Sequence, residues 1–336
     1  MGKKVTLVVP IYNSESTLRR CLDGVVMQDY PDLEVILVDN NSTDNSMRII
    51  NEYMAIDSRL KVCHEVKQGA GAARNRGIDE GTGDILCFVD SDDELISASC
   101  ISECVEAIQD VDMVWFDFAN AAVDRKRGAA LFLKQNVCSS VIDVLQQVEE
   151  NDLHSTLAVL WNKAFRYSVI REAEIRFPEG RSMGEDFPFV LQYLTQVETI
   201  RFLDKVFYKK WEAHLTATSA NAFNLVPLTI DYIRDIDMFL DNMQYKQAYL
   251  NLAKHLSNDA VIAVVRMHHP QNVQSKRDRK SNVRRLLHCN EFQKCFENYH
   301  PQKGQSRALP FFMKARCVFM VLRLGEQRAK NCYGRV

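Results

Sequence analysis

Four consecutive polar residues, Asp90-Ser91-Asp92-Asp93, follow directly on the apolar run Ile85-Leu86-Cys87-Phe88-Val89. Three of the four are acids, and carboxylates this close at the mouth of a buried strand raise one another's pKa unless a cation or hydrogen-bond donors offset the charge. Mg2+ or Mn2+ suits such a site, because either is commonly held by one or two carboxylates while water and substrate oxygens complete the octahedron. The competing reading is an acidic turn that caps a following helix, with Ser91 or Asp93 as N-cap and Glu94 in the first turn. A second acidic pair, Glu185-Asp186, follows a loop at 178–184 and opens an apolar helix at Phe187-Pro188-Phe189. Capping and catalysis both fit there as well.

The elements that position these acids show in the apolar periodicity. Val5-Thr6-Leu7-Val8-Val9 reads as a buried strand, broken by Pro10 into Ile11-Tyr12-Asn13. Ser14 or Ser16 is placed to cap a helix running to about residue 28. Residues 34–39 form a second strand ending on Asp39, Thr43 or Asp44 starts the next helix, and residues 60–65 make a third strand. Small residues in Gly69-Ala70-Gly71-Ala72-Ala73-Arg74 allow close backbone approach before a further helix. Strands alternating with helices over this length predict βαβα order and a parallel sheet. Ligands of such sheets gather beyond the carboxyl ends of the strands, where Tyr12, Asp39, Arg74 and Asp90 all fall. Tyr12 is suited to stack on a planar base and Asp39 to accept from its N–H, the alternatives being a surface aromatic and a helix cap. Arg74, near a helix N-terminus, suits a diphosphate, against the alternative of a solvated arginine. Gly69-Ala70-Gly71 lacks the third glycine of a dinucleotide fingerprint, and no Walker lysine signature occurs.

Further along, the pattern predicts a strand at 111–119, a polar turn at 124–128, a helix at 141–149, a half-buried stretch at 155–166 and a strand at 198–211. Composition is that of a soluble globular protein, with 46% apolar and 26% charged residues. Charge is uneven: residues 1–220 hold 23 Lys and Arg against 35 Asp and Glu, whereas residues 221–336 hold 19 against 9. The 10 cysteines contain one close pair, Cys100 and Cys104, and no zinc set, so reduced thiols in the cytoplasm are expected. Neither a signal peptide nor an apolar stretch approaching 18 residues is read.

Together VVPIYNSESTLRRCLDGVVMQDYPDLEVILVDNNSTDNS, GAGAARNRGI, the run into DSDDE, WNKAF and MGEDFPFVLQYL resemble, in order and spacing, a family 2 glycosyltransferase of the A-type fold, over roughly the first 215 residues. The resemblance implies an α/β fold, a mainly parallel Rossmann-like sheet flanked by helices, with a catalytic domain at 1–215 and a mostly helical, basic region at 216–336. It implies inverting transfer from a UDP-sugar to a hydroxyl of a saccharide or lipid-linked acceptor, in bacterial polysaccharide or glycolipid synthesis, with Mn2+ or Mg2+. By the same resemblance Tyr12 and Asp39 embrace the nucleobase, with Pro10 and Glu15 lining that pocket and Asp44 ordering the loop. Arg74 sits over base or phosphates, and Asp90 and Ser91 lie near the ribose. Asp92 ligates the metal, Asp93 holds the acceptor side, and Asp186 is the general base. His214 reads either as a diphosphate or metal contact or as a surface histidine. A sugar nucleotidyltransferase is the rival enzyme, but the residues after the first strand, Ile11-Tyr12-Asn13-Ser14-Glu15, lack its glycine-rich phosphate loop. A non-catalytic nucleotide-sugar binder is the rival without chemistry.

The basic C-terminal region carries a further expectation. Residues 307–328 read as one helix with Phe312, Ala315, Val318, Phe319 and Leu322 on a face edged by Arg307, Lys314, Arg316, Arg323 and Arg328. Such a helix either docks on the catalytic domain or lies on an anionic inner membrane surface. The expected partners are therefore the donor, the acceptor, an anionic membrane surface and a second copy of the chain, but not nucleic acid.

Overall fold

The computed structural model describes residues 2–121, 123–127, 138–150, 154–181, 184–211, 225–241, 259–297 and 307–333. The chain divides into two compact units, Met1–His214 and Leu215–Val336. The first is built on a ten-stranded sheet. Its strands are β1 (Val5–Ile11), β2 (Leu33–Asp39), β3 (Leu60–His64), β4 (Ile85–Phe88), β5 (Glu94–Leu95), β6 (Met113–Asn120), β7 (Val123–Arg127), β8 (Cys138–Ser140), β9 (Lys163–Arg166) and β10 (Thr199–Lys210). They run in the order β3-β2-β1-β4-β9-β6-β10-β5, with β7 beside β6 and β8 beside β10. All pairings among β3, β2, β1 and β4 are parallel, as the β-branched runs predict. Beyond β4 the sheet becomes mixed: β9 is antiparallel to both β4 and β6, while β10 runs parallel to β6.

Helices cover both faces. Odd-numbered residues of β1 pack with Leu18, Cys21, Leu22 and Val25 of α1 (Leu18–Val26) and with Ile49 and Ile50 of α2 (Ser46–Met54). On the other face α3 (Ala70–Glu80) comes so near that a Cβ on Gly77 would lie 2.3 Å from Val8 Cγ1. That closeness is what the small residues of this segment permit.

Several local expectations are corrected. β1 runs through Pro10 to Ile11, because β1 residues that face β4 have pairing partners there only as far as Val8. Pro10 faces that same side beyond the end of β4, so its missing N–H costs the ladder nothing. Neither Ser14 nor Ser16 caps α1, whose N-cap is Thr17. The acidic run is followed by β5 rather than a helix, since Glu94 and Leu95 pair with Lys209 and Tyr208; α4 (Cys100–Ala107) begins later. The polar segment expected to turn at 124–128 is strand from Val123 to Arg127, paired with β6. The 155–166 stretch is buried more deeply than expected, with Trp161 4% exposed and Asn162 to Phe165 not exposed at all.

In the second unit, helices Leu225–Asp241, Lys276–Leu287, Asn290–Glu297, Ala308–Lys314 and Val318–Tyr333 accompany helical residues 259–266. Ser275 caps its helix by accepting from Asp278 N–H. The single helix expected over 307–328 is two, separated at residues 315–317, where Arg316 takes a positive φ of 52°. Their buried sides are Leu309, Pro310 and Met313 in one and Val321, Gly325 and Ala329 in the other. The face expected from the sequence is not the one that is buried: Ala315 and Phe319 are exposed.

Candidate active site

The carboxyl ends of β1, β2 and β4 form one rim. Register sets Ile11 opposite Asp39, so Tyr12 emerges beside the end of β2, half exposed. Asp39 is buried at 5% exposure, with one carboxylate oxygen accepting from Ser42 N–H and the other 3.3 Å from His64 Nδ1. Asn40 locks the rim, donating to the carbonyls of Glu65 and Lys67 and accepting from Gly69 N–H at the entry to α3. Glu15 is exposed, and its carboxylate accepts from the backbone and side-chain amides of Asn45. Asp44 accepts from the N–H groups of Glu15 and Ser46 and so ties the first loop to the start of α2.

The acidic loop is strapped down on both sides. Ser91 Oγ lies 2.7 Å from Ser14 Oγ, Ser91 O accepts from Thr17, and Arg20 donates to Asp92 O at 2.6 Å. One carboxylate oxygen from each of Asp90, Asp92 and Asp93 lies within 4.8 Å of the other two. Mg2+ and Mn2+ take oxygen ligands, so carboxylates gathered this closely could hold such a cation, with water and substrate oxygens completing its shell. Burial and the neighbouring Asp90 push the Asp92 carboxyl upward. For Asp93, burial with Asp90 and Asp92 pushes it up to about 7. Both Asp93 oxygens already accept from the protein, one from Tyr208 OH and the other from Trp211 N–H, each at 2.8 Å, and the residue is 2% exposed. Tyr208 is itself stacked on Trp161 at 4.4 Å.

Arg74 joins this loop to the far acidic pair. It is 5% exposed, donates from Nη2 to Asp90 at 2.9 Å and from Nη1 to Glu185 at 2.7 Å and to Asp186 at 2.8 Å. The Gly71 position of α3 packs against Phe177, Pro178 and Glu185, a Cβ there meeting Pro178 O at 2.8 Å, and this brings α3 and the start of α5 (Asp186–Leu194) together. One guanidinium among three carboxylates leaves an excess of negative charge. Burial, opposed by Arg74 and supported by Glu185 and Asp90, pushes the Asp186 carboxyl up to about 7. Lys163 stands fully buried behind, donating to the carbonyls of Thr156 and Val159 and to the Asn162 side chain, with Nζ 4.3 Å from the centre of the Trp115 ring. Burial pushes its amine well below the usual lysine range.

Residues 6–167 match the family model described as glycosyl transferase family 2. The match covers just under half of the chain, from β1 to β9. It is 30% identical over 205 residues to the uncharacterized glycosyltransferase EpsJ of Bacillus subtilis, across 61% of this chain and 60% of EpsJ. The chain thus spans about three-fifths of that curated relative. Its fold is that of Staphylococcus aureus TarS 1–349, solved with UDP-GlcNAc: TM-score 0.70, 19% identity, 99% of this chain and 93% of that one. It is also that of the mannosyltransferase PcManGT of Pyrobaculum calidifontis, solved with GDP-Man and Mn2+: TM-score 0.56, 15% identity, 100% of this chain and 89% of that one.

Set against the roles that the resemblance to family 2 implies, the geometry sorts the residues. Pro10, Tyr12, Asp39, Asp90, Ser91 and Asp92 share the rim, and Asp186 reaches it through Arg74. Arg74 sends its hydrogen bonds to three carboxylates and so stands as the counter-ion of the acidic wall. Asp93, buried with both oxygens accepting, anchors Tyr208 and Trp211 at the end of β10. His214 lies outside the described residues. Sequence reasoning passed over His64, which only strand register brings to Asp39, and gave Lys163, inside the WNKAF stretch, no role of its own.

Proposed function

We propose that the chain is a metal-dependent, inverting hexosyltransferase that moves a sugar from a UDP-sugar to a hydroxyl of a saccharide or lipid-linked acceptor in cell-surface polysaccharide or glycolipid synthesis. The observation that carries this reading is the shared guanidinium: Asp186, at the start of α5, and Asp90, just beyond the end of β4, both bind Arg74. A carboxylate poised near neutrality thereby stands beside a cation-binding loop. Tyr12 offers its exposed ring to the face of the nucleobase and Asp39 accepts from the base N–H. Asp92, with Asp90, would hold Mn2+ or Mg2+, which supplies positive charge for the departing diphosphate. Asp186 takes the proton as the acceptor oxygen bonds to the anomeric carbon and the carbon–diphosphate bond breaks on the opposite face. The product of an α-linked donor is then β-linked. UDP-GlcNAc bound in TarS supports a uridine donor, and Mn2+ in the mannosyltransferase supports the metal. We place the reaction in the cytoplasm, at the inner face of the membrane that carries lipid-linked acceptors. The test is a panel of UDP-, GDP- and dTDP-sugars with Mn2+, scored by donor hydrolysis and by protection against thermal unfolding. Preference for a UDP-sugar supports the reading; equal indifference to every sugar nucleotide overturns it.

A further inference from the structure

The helices that end the second unit carry a surface that sugar transfer does not use. On the two helices Ala308–Lys314 and Val318–Tyr333 the inward side is filled by Leu309, Met313 and Val321. The outward side holds Phe311 and Phe319, 64% and 69% exposed, among exposed Arg307, Lys314, Arg316 and Arg323. No Asp or Glu occurs from residue 307 to residue 325. The helix Lys276–Leu287 packs against Val318–Tyr333 and holds six basic residues against one acid, Asp278.

Two large rings set in water on a stretch whose only charged residues from 307 to 325 are basic, with Lys314 donating to the Glu297 carbonyl at its edge, call for a partner that is both anionic and apolar just beneath its charge. An anionic bilayer has both: headgroup phosphates meet the arginines while phenyl rings enter the acyl boundary. A second copy of this face would bring like charge against like, which costs association. No helix among the described residues is long and apolar enough to cross a membrane. We propose that the face centred on Phe311 and Phe319, with Arg307, Lys314, Arg316 and Arg323, seats the protein on an anionic phospholipid surface. This specifies the membrane location proposed above and does not depend on the identity of the donor.

Co-sedimentation of the full chain with phosphatidylcholine vesicles, with and without phosphatidylglycerol, tests it. Binding is expected to need the anionic lipid and to fall with added salt. Arg307→Gln with Arg323→Gln should weaken it about fivefold per charge removed. Phe311→Ser with Phe319→Ser should weaken it by about tenfold or more, since each buried ring contributes through its apolar area. Both double variants should keep the wild-type unfolding midpoint and donor hydrolysis in solution, which separates failure of this surface from failure of the catalytic reading. Equal or absent binding to both vesicle types, or binding that ignores both variants, overturns the proposal. So does a dimer in solution that the Phe variants dissociate, or displacement from anionic vesicles by single-stranded oligonucleotide at equal charge concentration.

Discussion

At the scale of single residues, the site turns on how one buried arginine is divided among acids. Asp186→Asn removes the proposed base but not the proposed donor contacts, so kcat should fall by about 10²- to 10⁴-fold while donor affinity stays within about threefold. Calorimetry of donor binding beside a transfer assay checks both halves. A base whose carboxyl is raised to about 7 is protonated below that pH. The rate should therefore fall about tenfold per pH unit on the acid side and level off above. In Arg74→Lys a compact ammonium replaces a fork that reaches three carboxylates. Weaker cation contact lets the Asp186 carboxyl rise, so the acid limb of the kcat profile should move to higher pH. Asp92→Ala should fold normally and lose Mn2+-dependent nucleotide binding, and EDTA should abolish wild-type transfer until Mn2+ or Mg2+ is restored. Full activity in chelator would remove Asp92 from the role proposed for it.

At the scale of elements, two close approaches hold the rim in place. Gly24 of α1 faces the backbone of β5, where an added Cβ would meet Leu95 O at 2.6 Å. Because β5 continues directly from the acidic loop, Gly24→Ala should push that loop outward. The expected cost is about 1–3 kcal/mol in urea unfolding, with weaker Mn2+ binding. Glu34 of β2, its side chain 4% exposed, binds Lys4 and accepts from Thr6 and Thr82. Burial pushes its carboxyl up, but Lys4, Thr82 and Thr6 together hold it down at about 2, below the ordinary 4.5. A depressed carboxyl gives stability that is full above about pH 4.5 and is lost as pH falls toward 2. Glu34→Gln should thus lower stability by on the order of 1–3 kcal/mol at pH 7 and flatten the loss between pH 4.5 and 2. Urea melts at pH 7 and pH 3 measure both.

At the scale of the whole molecule, the two units differ in charge and in construction. Acids predominate in residues 1–220, which contain the Asp90–Asp93 loop, and bases predominate in residues 221–336, which contain the exposed Phe311 and Phe319. A ligand that binds only the folded state stabilises by about 2.7 kcal/mol at one hundred times its Kd. UDP with Mn2+ should accordingly raise the thermal midpoint of the wild-type chain and of the Phe311→Ser, Phe319→Ser variant alike. The same addition should leave Asp92→Ala unmoved, as scanning calorimetry would record.

What was legible in the chain is what short-range pattern encodes. The β-branched runs 5–9, 34–39 and 85–89 announce parallel strands because burial on both faces removes the need for polar alternation. Small residues at 69–73 announce a close helix, and acids at strand ends announce the rim. Parallel order from β1 to β4 follows from the alternation of strand and helix alone. The insertion of antiparallel β9 does not, because it depends on a segment about 80 residues further along finding the free edge of β4. For the same reason the sequence could not say that Arg74 serves Glu185 and Asp186, more than 100 positions away, or that Tyr208 and Trp211 occupy Asp93. Residue type shows that an acid or a base needs a partner, whereas strand register and helix packing choose which one it meets. The tail shows the same division: basic character and a helical stretch were written in its sequence, but the left-handed turn at Arg316 broke that stretch into two helices with Phe311 and Phe319 exposed.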